Sequence, residues 1–166
     1  MPVWLRCNQQ KDCLVSKDLK KLYQQVLLAH NKDPKNFKVL ENPTHYAHGV
    51  NPLCGDDYHL FIQVNDAKKI EDIGFKGEGC AISKSVSSMM TAHVKGKGVD
   101  AALASKDAFI TMVTESLSED DATRILGHMT LFQTVKEFPI RVKCATLIWR
   151  ALEAALTKQA EKITTE

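Results

Sequence analysis

The stretch Tyr58-His-Leu-Phe-Ile-Gln-Val64, followed by Asn65-Asp66 and then Lys69-Ile-Glu-Asp-Ile-Gly-Phe75, decides the fold. Tyr58, Leu60, Ile62 and Val64 share one face of an extended chain, and His59, Phe61 and Gln63 share the other. Strict alternation of this kind is the mark of a strand with one face buried. Asn65-Asp66 turns the chain into a second strand, about Lys69 to Phe75. The flanking segments carry the helical period instead. Before the strands, Ser16 is placed to cap a helix that runs to about His30. Its apolar stripe is Leu19, Leu22, Tyr23, Val26 and Leu27, and Asn31 to Pro34 stops it. After the strands, Ile82, Val86, Met89, Met90, His93 and Val94 mark the buried face of a helix ended by Gly96 and Gly98. Another helix runs from about Asp100 to Val113. Residues 115–137 begin polar and become apolar and helical. Pro139 suits the first turn of a last helix with the stripe Val142, Ala145, Ile148, Trp149, Leu152 and Leu156. The expected class is α+β: a small three-stranded antiparallel sheet with helices packed on it.

The totals bound the rest. The 166 residues fit one domain of ordinary size, large enough to fold without disulfides. We divide them into an N-terminal extension, 1–15, with no clear period; a single domain, 16–158; and a C-terminal tail, 159–166. Hydrophobic content of 44% and charged content of 25% describe a soluble globular chain. The 22 basic and 20 acidic residues nearly balance, which argues against a nucleic-acid partner. No apolar run approaches the about 18 residues that span a bilayer. The start, Met1-Pro-Val-Trp-Leu-Arg-Cys7, lacks the plan of a signal peptide. These features point to the cytoplasm, where cysteines serve metal or catalysis rather than disulfides.

Three of the five cysteines sit in distinctive contexts: Cys54 in Asn51-Pro-Leu-Cys-Gly-Asp56, Cys80 in Gly77-Glu-Gly-Cys-Ala-Ile82, and Cys144 in Arg141-Val-Lys-Cys-Ala-Thr146. Cys54 lies in a tight turn before the first strand, within a turn-rich segment, Lys35 to Gly55. Cys80 lies where glycines meet a helix N-terminus, a place favourable to negative charge. Cys144 lies in the first turns of the last helix. With Asp56, these offer three thiols and a carboxylate, the number and type of ligands that close a tetrahedral zinc site. Thiolates equally bind iron–sulfur clusters or accept sulfur from another thiol. The intervals, 26 and 64 residues, match no zinc finger, so the local contexts carry the reading.

Each residue also has a plainer role open to it. A cysteine is often a small buried hydrophobe, and an aspartate after a turn often caps it. Cys7 and Cys13 lack flanking glycines and read as incidental. His45 and His48 flank the first motif with a spacing that suits metal, but read as loop or hydrogen-bonding residues. His30, His59, His93 and His128 read as helix-end, strand or packing residues. No histidine neighbours a motif cysteine except His48, which argues against a cysteine hydrolase.

The motifs together resemble the IscU/NifU-type iron–sulfur cluster assembly proteins, in particular their SufU branch. The matching stretches are Glu41-Asn-Pro-Thr-His45, Asn51-Pro-Leu-Cys-Gly-Asp56, Phe75-Lys-Gly-Glu-Gly-Cys-Ala-Ile-Ser83, Ser87-Ser-Met-Met90 and Phe138-Pro-Ile-Arg-Val-Lys-Cys-Ala-Thr-Leu147. They fall in the family's order and cover about Ser16 to Leu156; residues 1–15 do not match. The resemblance implies a site of Cys54, Asp56, Cys80 and Cys144 at one end of the fold. In the scaffold branch the equivalent site assembles a [2Fe–2S] cluster from iron and persulfide sulfur. In the SufU branch it holds Zn²⁺, and the protein accepts sulfur from a PLP-dependent cysteine desulfurase and serves downstream cluster-assembly proteins. Scaffold-type sequences carry histidine just before the last cysteine, whereas this chain has Lys143. The interval from Cys80 to Cys144 is also longer, as in SufU-like proteins. Both features favour sulfur transfer over scaffolding; the loop position of Cys54 makes it the thiol expected to react, and Arg141 is placed to steer the desulfurase. A cluster scaffold and a purely structural zinc domain are the alternatives.

Overall fold

The structure, a computed structural model, describes residues 3–165, with side chains for residues 17–165. Helix α1 (Val3–Lys32) leads into strands β1 (His45–Asn51), β2 (Asp56–Val64) and β3 (Ile70–Glu78). Helices α2 (Ala81–Val94), α3 (Val99–Thr114) and α4 (Glu119–Leu126) follow, then a 3-10 stretch, Gly127–Glu137. Helix α5 (Pro139–Thr157) and a short strand β4 (Lys162–Thr164) complete the order. The helix expected to start at Ser16 begins instead at Val3, so Ser16 lies inside it and does not cap it; the side chains of Cys7 and Cys13 lie outside the described residues.

The alternation read from β2 is what the structure buries. Tyr58, Leu60 and Ile62 are fully buried, and Val64 is half-buried at the strand's end. They meet Val86 and Met90 of α2 and Leu147, Ile148, Trp149 and Leu152 of α5 in one core. An aromatic chain extends it: Trp149 stacks on Phe109, Phe109 meets Phe132 edge-on, and Phe132 meets Tyr23 of α1 edge-on. Pro139 occupies the first turn of α5, where its missing N–H costs no hydrogen bond.

The sheet has four strands, in the order β3-β2-β1-β4, rather than the three expected. The first three pair antiparallel, and β4 joins β1 in parallel. Two strands had no sequence signal. The inner face of β1 carries Ala47, Gly49 and Asn51, small or polar residues with no apolar period. The reason lies in α5: the Leu147 side chain sits 3.1 Å from where a Gly49 Cβ would project. Close approach of helix to strand thus requires a residue that hides the strand. β4, inside the expected tail, is three mostly exposed residues, and its pairing is anchored by His48 N donating to the Glu161 carbonyl at 2.6 Å. Edge strands this short and polar leave no period to read.

One half-buried base links this core to pH. His93 lies edge-on to Trp149, and its Nε2 is 3.1 Å from Ser105 Oγ and 2.9 Å from Lys97 Nζ. Burial and the Lys97 charge push the imidazole down to about 4, against a hydrogen bond to the Ile125 backbone that raises it. The unfolded chain, at 6.5, therefore binds the proton first. The neutral imidazole's contribution is full above about pH 6.5 and is lost as pH falls towards 4. Thermal melts of metal-free protein across that window should fall with acidification, and His93→Gln should flatten the slope. An unchanged slope would remove His93 from the account.

Candidate metal centre

Four elements deliver the site. Cys54 stands on the turn of residues 52–55 that joins β1 to β2, half-buried, with Gly55 behind it at φ +68°. That left-handed conformation is natural for glycine. Asp56 opens β2 in the same phase as Tyr58 and Leu60, so the strand period turns its carboxylate inward, fully buried. Cys80 is the N-cap of α2, and Ser83 N donates to its sulfur at 3.4 Å. Cys144 lies in the second turn of α5 and is 2% exposed.

The structure brings these residues together. Cys144 Sγ is 2.9 Å from Cys54 Sγ. Ligand atoms of Cys54, Asp56 and Cys144 all lie within 4.8 Å of one another. Cys80 lies outside that set and joins through its backbone, whose N–H donates to Asp56 Oδ1 at 2.8 Å. Burial pushes the Cys144 thiol up, and the hydrogen bond to Cys54 and the negative charge of Cys80 and Asp56 add to it. Two ionised sulfurs at 2.9 Å would repel each other, and a cation between them would offset that repulsion.

Three residues not assigned a role from the sequence hold the centre in place. Asn51 is buried, and its Nδ2 faces both Asp56 Oδ2 at 3.1 Å and Cys144 Sγ at 3.5 Å. Its Oδ1 is buried with no hydrogen-bond partner among the described residues. Ser83 Oγ donates to Asp56 Oδ1 at 2.9 Å and lies 3.4 Å from the Tyr58 hydroxyl. The Tyr58 hydroxyl is pushed up to about 12, mainly by burial. Gly79 leaves room for this network, since a Cβ there would meet Ser83 Oγ, Asp56 Oδ1 and the Tyr58 hydroxyl within 2.5 to 2.7 Å. Signals for them existed. Asn51 and Ser83 bound the first and second cysteine motifs, and Tyr58 shares the strand phase of Asp56.

The donor set fits a borderline-soft divalent cation: sulfurs from three elements, an oriented carboxylate, and hydrogen bonds that fix the carboxylate from behind. Arg141 stands apart. It is exposed, with its guanidinium 4.3 Å over the Phe138 ring, and its charge lowers the Tyr23 hydroxyl against the burial that raises it.

A small α+β domain that gathers cysteines from a turn, a helix cap and a helix at one end of its sheet offers the donors of a thiol-rich metal centre. Comparison with known proteins gives the family. Residues 22–145 match the NifU-like N terminal domain family. The chain is 40% identical over 142 residues to the zinc-dependent sulfurtransferase SufU of Bacillus subtilis, covering 86% of this chain and 94% of that one. It is 42% identical over 142 residues to the iron–sulfur cluster assembly scaffold protein IscU of Streptococcus pyogenes, covering 86% and 87%. The crystal structure of a protein described as an iron–sulfur cluster assembly scaffold for the SUF system (FiSufU), from Fervidobacterium islandicum, superposes with a TM-score of 0.73 at 33% identity, covering 79% of this chain and 93% of that one. The chain belongs to the IscU/NifU-like family of iron–sulfur cluster assembly proteins.

Proposed function

We propose that this protein is a SufU-type sulfur acceptor of the cytoplasm, holding Zn²⁺ through Cys54, Asp56, Cys80 and Cys144 and taking persulfide sulfur from a PLP-dependent cysteine desulfurase. The observation that carries this is the unequal setting of the three thiols. Cys144 is sealed in a helix and Cys80 is tied into a helix cap, whereas Cys54 rides a half-exposed turn beside them. Bound zinc would keep the sulfurs deprotonated and protected from oxidation. Cys54 can leave the centre by movement of the turn alone. Its thiolate attacks the terminal sulfur of the desulfurase persulfide; the persulfide S–S bond breaks, the desulfurase cysteine leaves as thiolate, and Cys54 carries the persulfide. Leu53, Phe138 and Ile140 are large apolar side chains left exposed next to Cys54 and at the start of α5. With Arg141 they offer an apolar, positively charged surface for docking the desulfurase.

The cluster scaffold is the second reading, favoured by the similarity to the S. pyogenes protein. Metal analysis separates the two. Protein purified without added metal should contain about one zinc per chain and absorb no visible light. A brown, iron-containing protein would overturn the zinc reading in favour of the scaffold.

A further inference from the structure

The strand period that turns Asp56 inward turns its neighbour Asp57 to the opposite face of the sheet, half-exposed. There it meets two histidines that the sequence left as loop and strand residues. His48 of β1 and His59 of β2 are direct cross-strand partners. Their rings stack at 4.2 Å with an interplanar angle of 7°. His48 Nε2 is 2.7 Å from Asp57 Oδ1, and His59 Nε2 is 3.8 Å from the same oxygen. The donor atoms of all three lie within 4.8 Å of one another.

We propose that His48, Asp57 and His59 form a second cation site, for a divalent transition metal such as Ni²⁺, Cu²⁺ or Zn²⁺, on the solvent face of the sheet. Two imidazoles and one carboxylate select such ions over Ca²⁺ or Mg²⁺, which take oxygen donors. The surroundings prepare the ligands. Tyr46 OH is 2.6 Å from His59 Nδ1, and in the tautomer that donates to this oxygen the His59 Nε2 lone pair is free for a cation. Tyr46 also stacks on the His59 ring and so fixes its plane. Glu161, with Asp57, is close enough to raise the Tyr46 hydroxyl after burial has done so, adding negative charge beside the site. Lys76, the β3 partner of His59, does not compete, because its ammonium lies 4.0 Å over the Phe37 ring. Lys162, in register with His48 on β4, is exposed to water. The site is open on its outer side, so water or an added ligand completes the coordination. Two centres then stand back to back across β2, one built on sulfur and one on nitrogen.

The test uses the full chain with its thiol centre as purified. Equilibrium dialysis against Ni²⁺ should find about one further equivalent bound with the existing metal retained, and NMR should show paramagnetic broadening of the His48 and His59 ring signals. The variant H48Q/H59Q should lose that equivalent, with affinity down at least ~10-fold, and keep its melting temperature. The proposal is overturned if wild type and variant bind Ni²⁺ equally, if Ni²⁺ only displaces the metal of the thiol centre, or if broadening falls on His45 or His128 instead. Should the variant not fold, the ring signals of the wild type decide alone. A thiol centre that holds no metal would take a Ni²⁺ equivalent that H48Q/H59Q retains and that leaves the His48 and His59 ring signals unbroadened, so the two sites fail separately.

Discussion

Cys54→Ala should leave a folded protein that no longer raises the turnover of its cysteine desulfurase. Loss of stimulation is expected to be complete, because the variant lacks the thiolate that attacks the persulfide and neither remaining sulfur can replace it. Cys144 is 2% exposed and would have to drag α5 outwards, and Cys80 would have to give up the cap of α2. The fold should survive, because Cys54 lies on a half-exposed turn whose loss removes little packing. The measurement is sulfide or alanine release by the desulfurase with wild type or variant added, alongside a thermal melt. Stimulation retained by the variant would sink the assignment of Cys54. A variant that unfolds as readily as metal-stripped protein would instead favour a purely structural zinc domain.

The second large effect concerns a residue that binds nothing. Gly77→Ala should cost about 3 kcal/mol or more, a fall of roughly 10 °C in melting temperature for a chain of this size. Two causes add. Gly77 has φ +143°, a conformation that residues with a Cβ rarely adopt. A Cβ there would also collide with the backbone carbonyl of Asp57 on the paired strand, and would come within 2.9 Å of Tyr58 Cα. Both are backbone atoms of the strand that carries Asp56, so relief of the clash must move the ligand strand or the 77–80 segment that presents Cys80. Metal retention should fall with stability. Gly55→Ala is the contrast: it also has positive φ, but nothing lies within 4 Å of its Cβ, so only the conformational cost of about 1–2 kcal/mol applies. Equal melting temperatures for the two variants would refute this account.

The sequence was readable where burial repeats at a regular interval. Tyr58, Leu60 and Ile62 announced β2, and the stripe from Val142 to Leu156 behind Pro139 announced α5. It was unreadable where packing needed small residues or a short edge. β1 offers Ala47 and Gly49 to α5 because Leu147 fills the space above them, and β4 exists only as three residues against β1. The same limit hid the helpers of the metal centre. Nothing in the spacing of Asn51, Tyr58 and Ser83 says that all three converge on Asp56. His59 read as an ordinary strand residue because its meaning depends on the register that sets it opposite His48.

What the amino-acid sequence determined alone was the inventory and its local geometry: three cysteines in their motifs, a carboxylate two residues after the first, a strand phase, and helices at fixed places. What only the tertiary structure decided was convergence and exposure. Cys54 and Cys144 are 90 positions apart, and their sulfurs meet at 2.9 Å because α5 lies flush on β1 over Gly49. Local periodicity records which face of an element is buried, not which element covers it. That covering leaves Cys144 sealed and Cys54 on a turn, the difference on which the proposed roles of the two thiols rest.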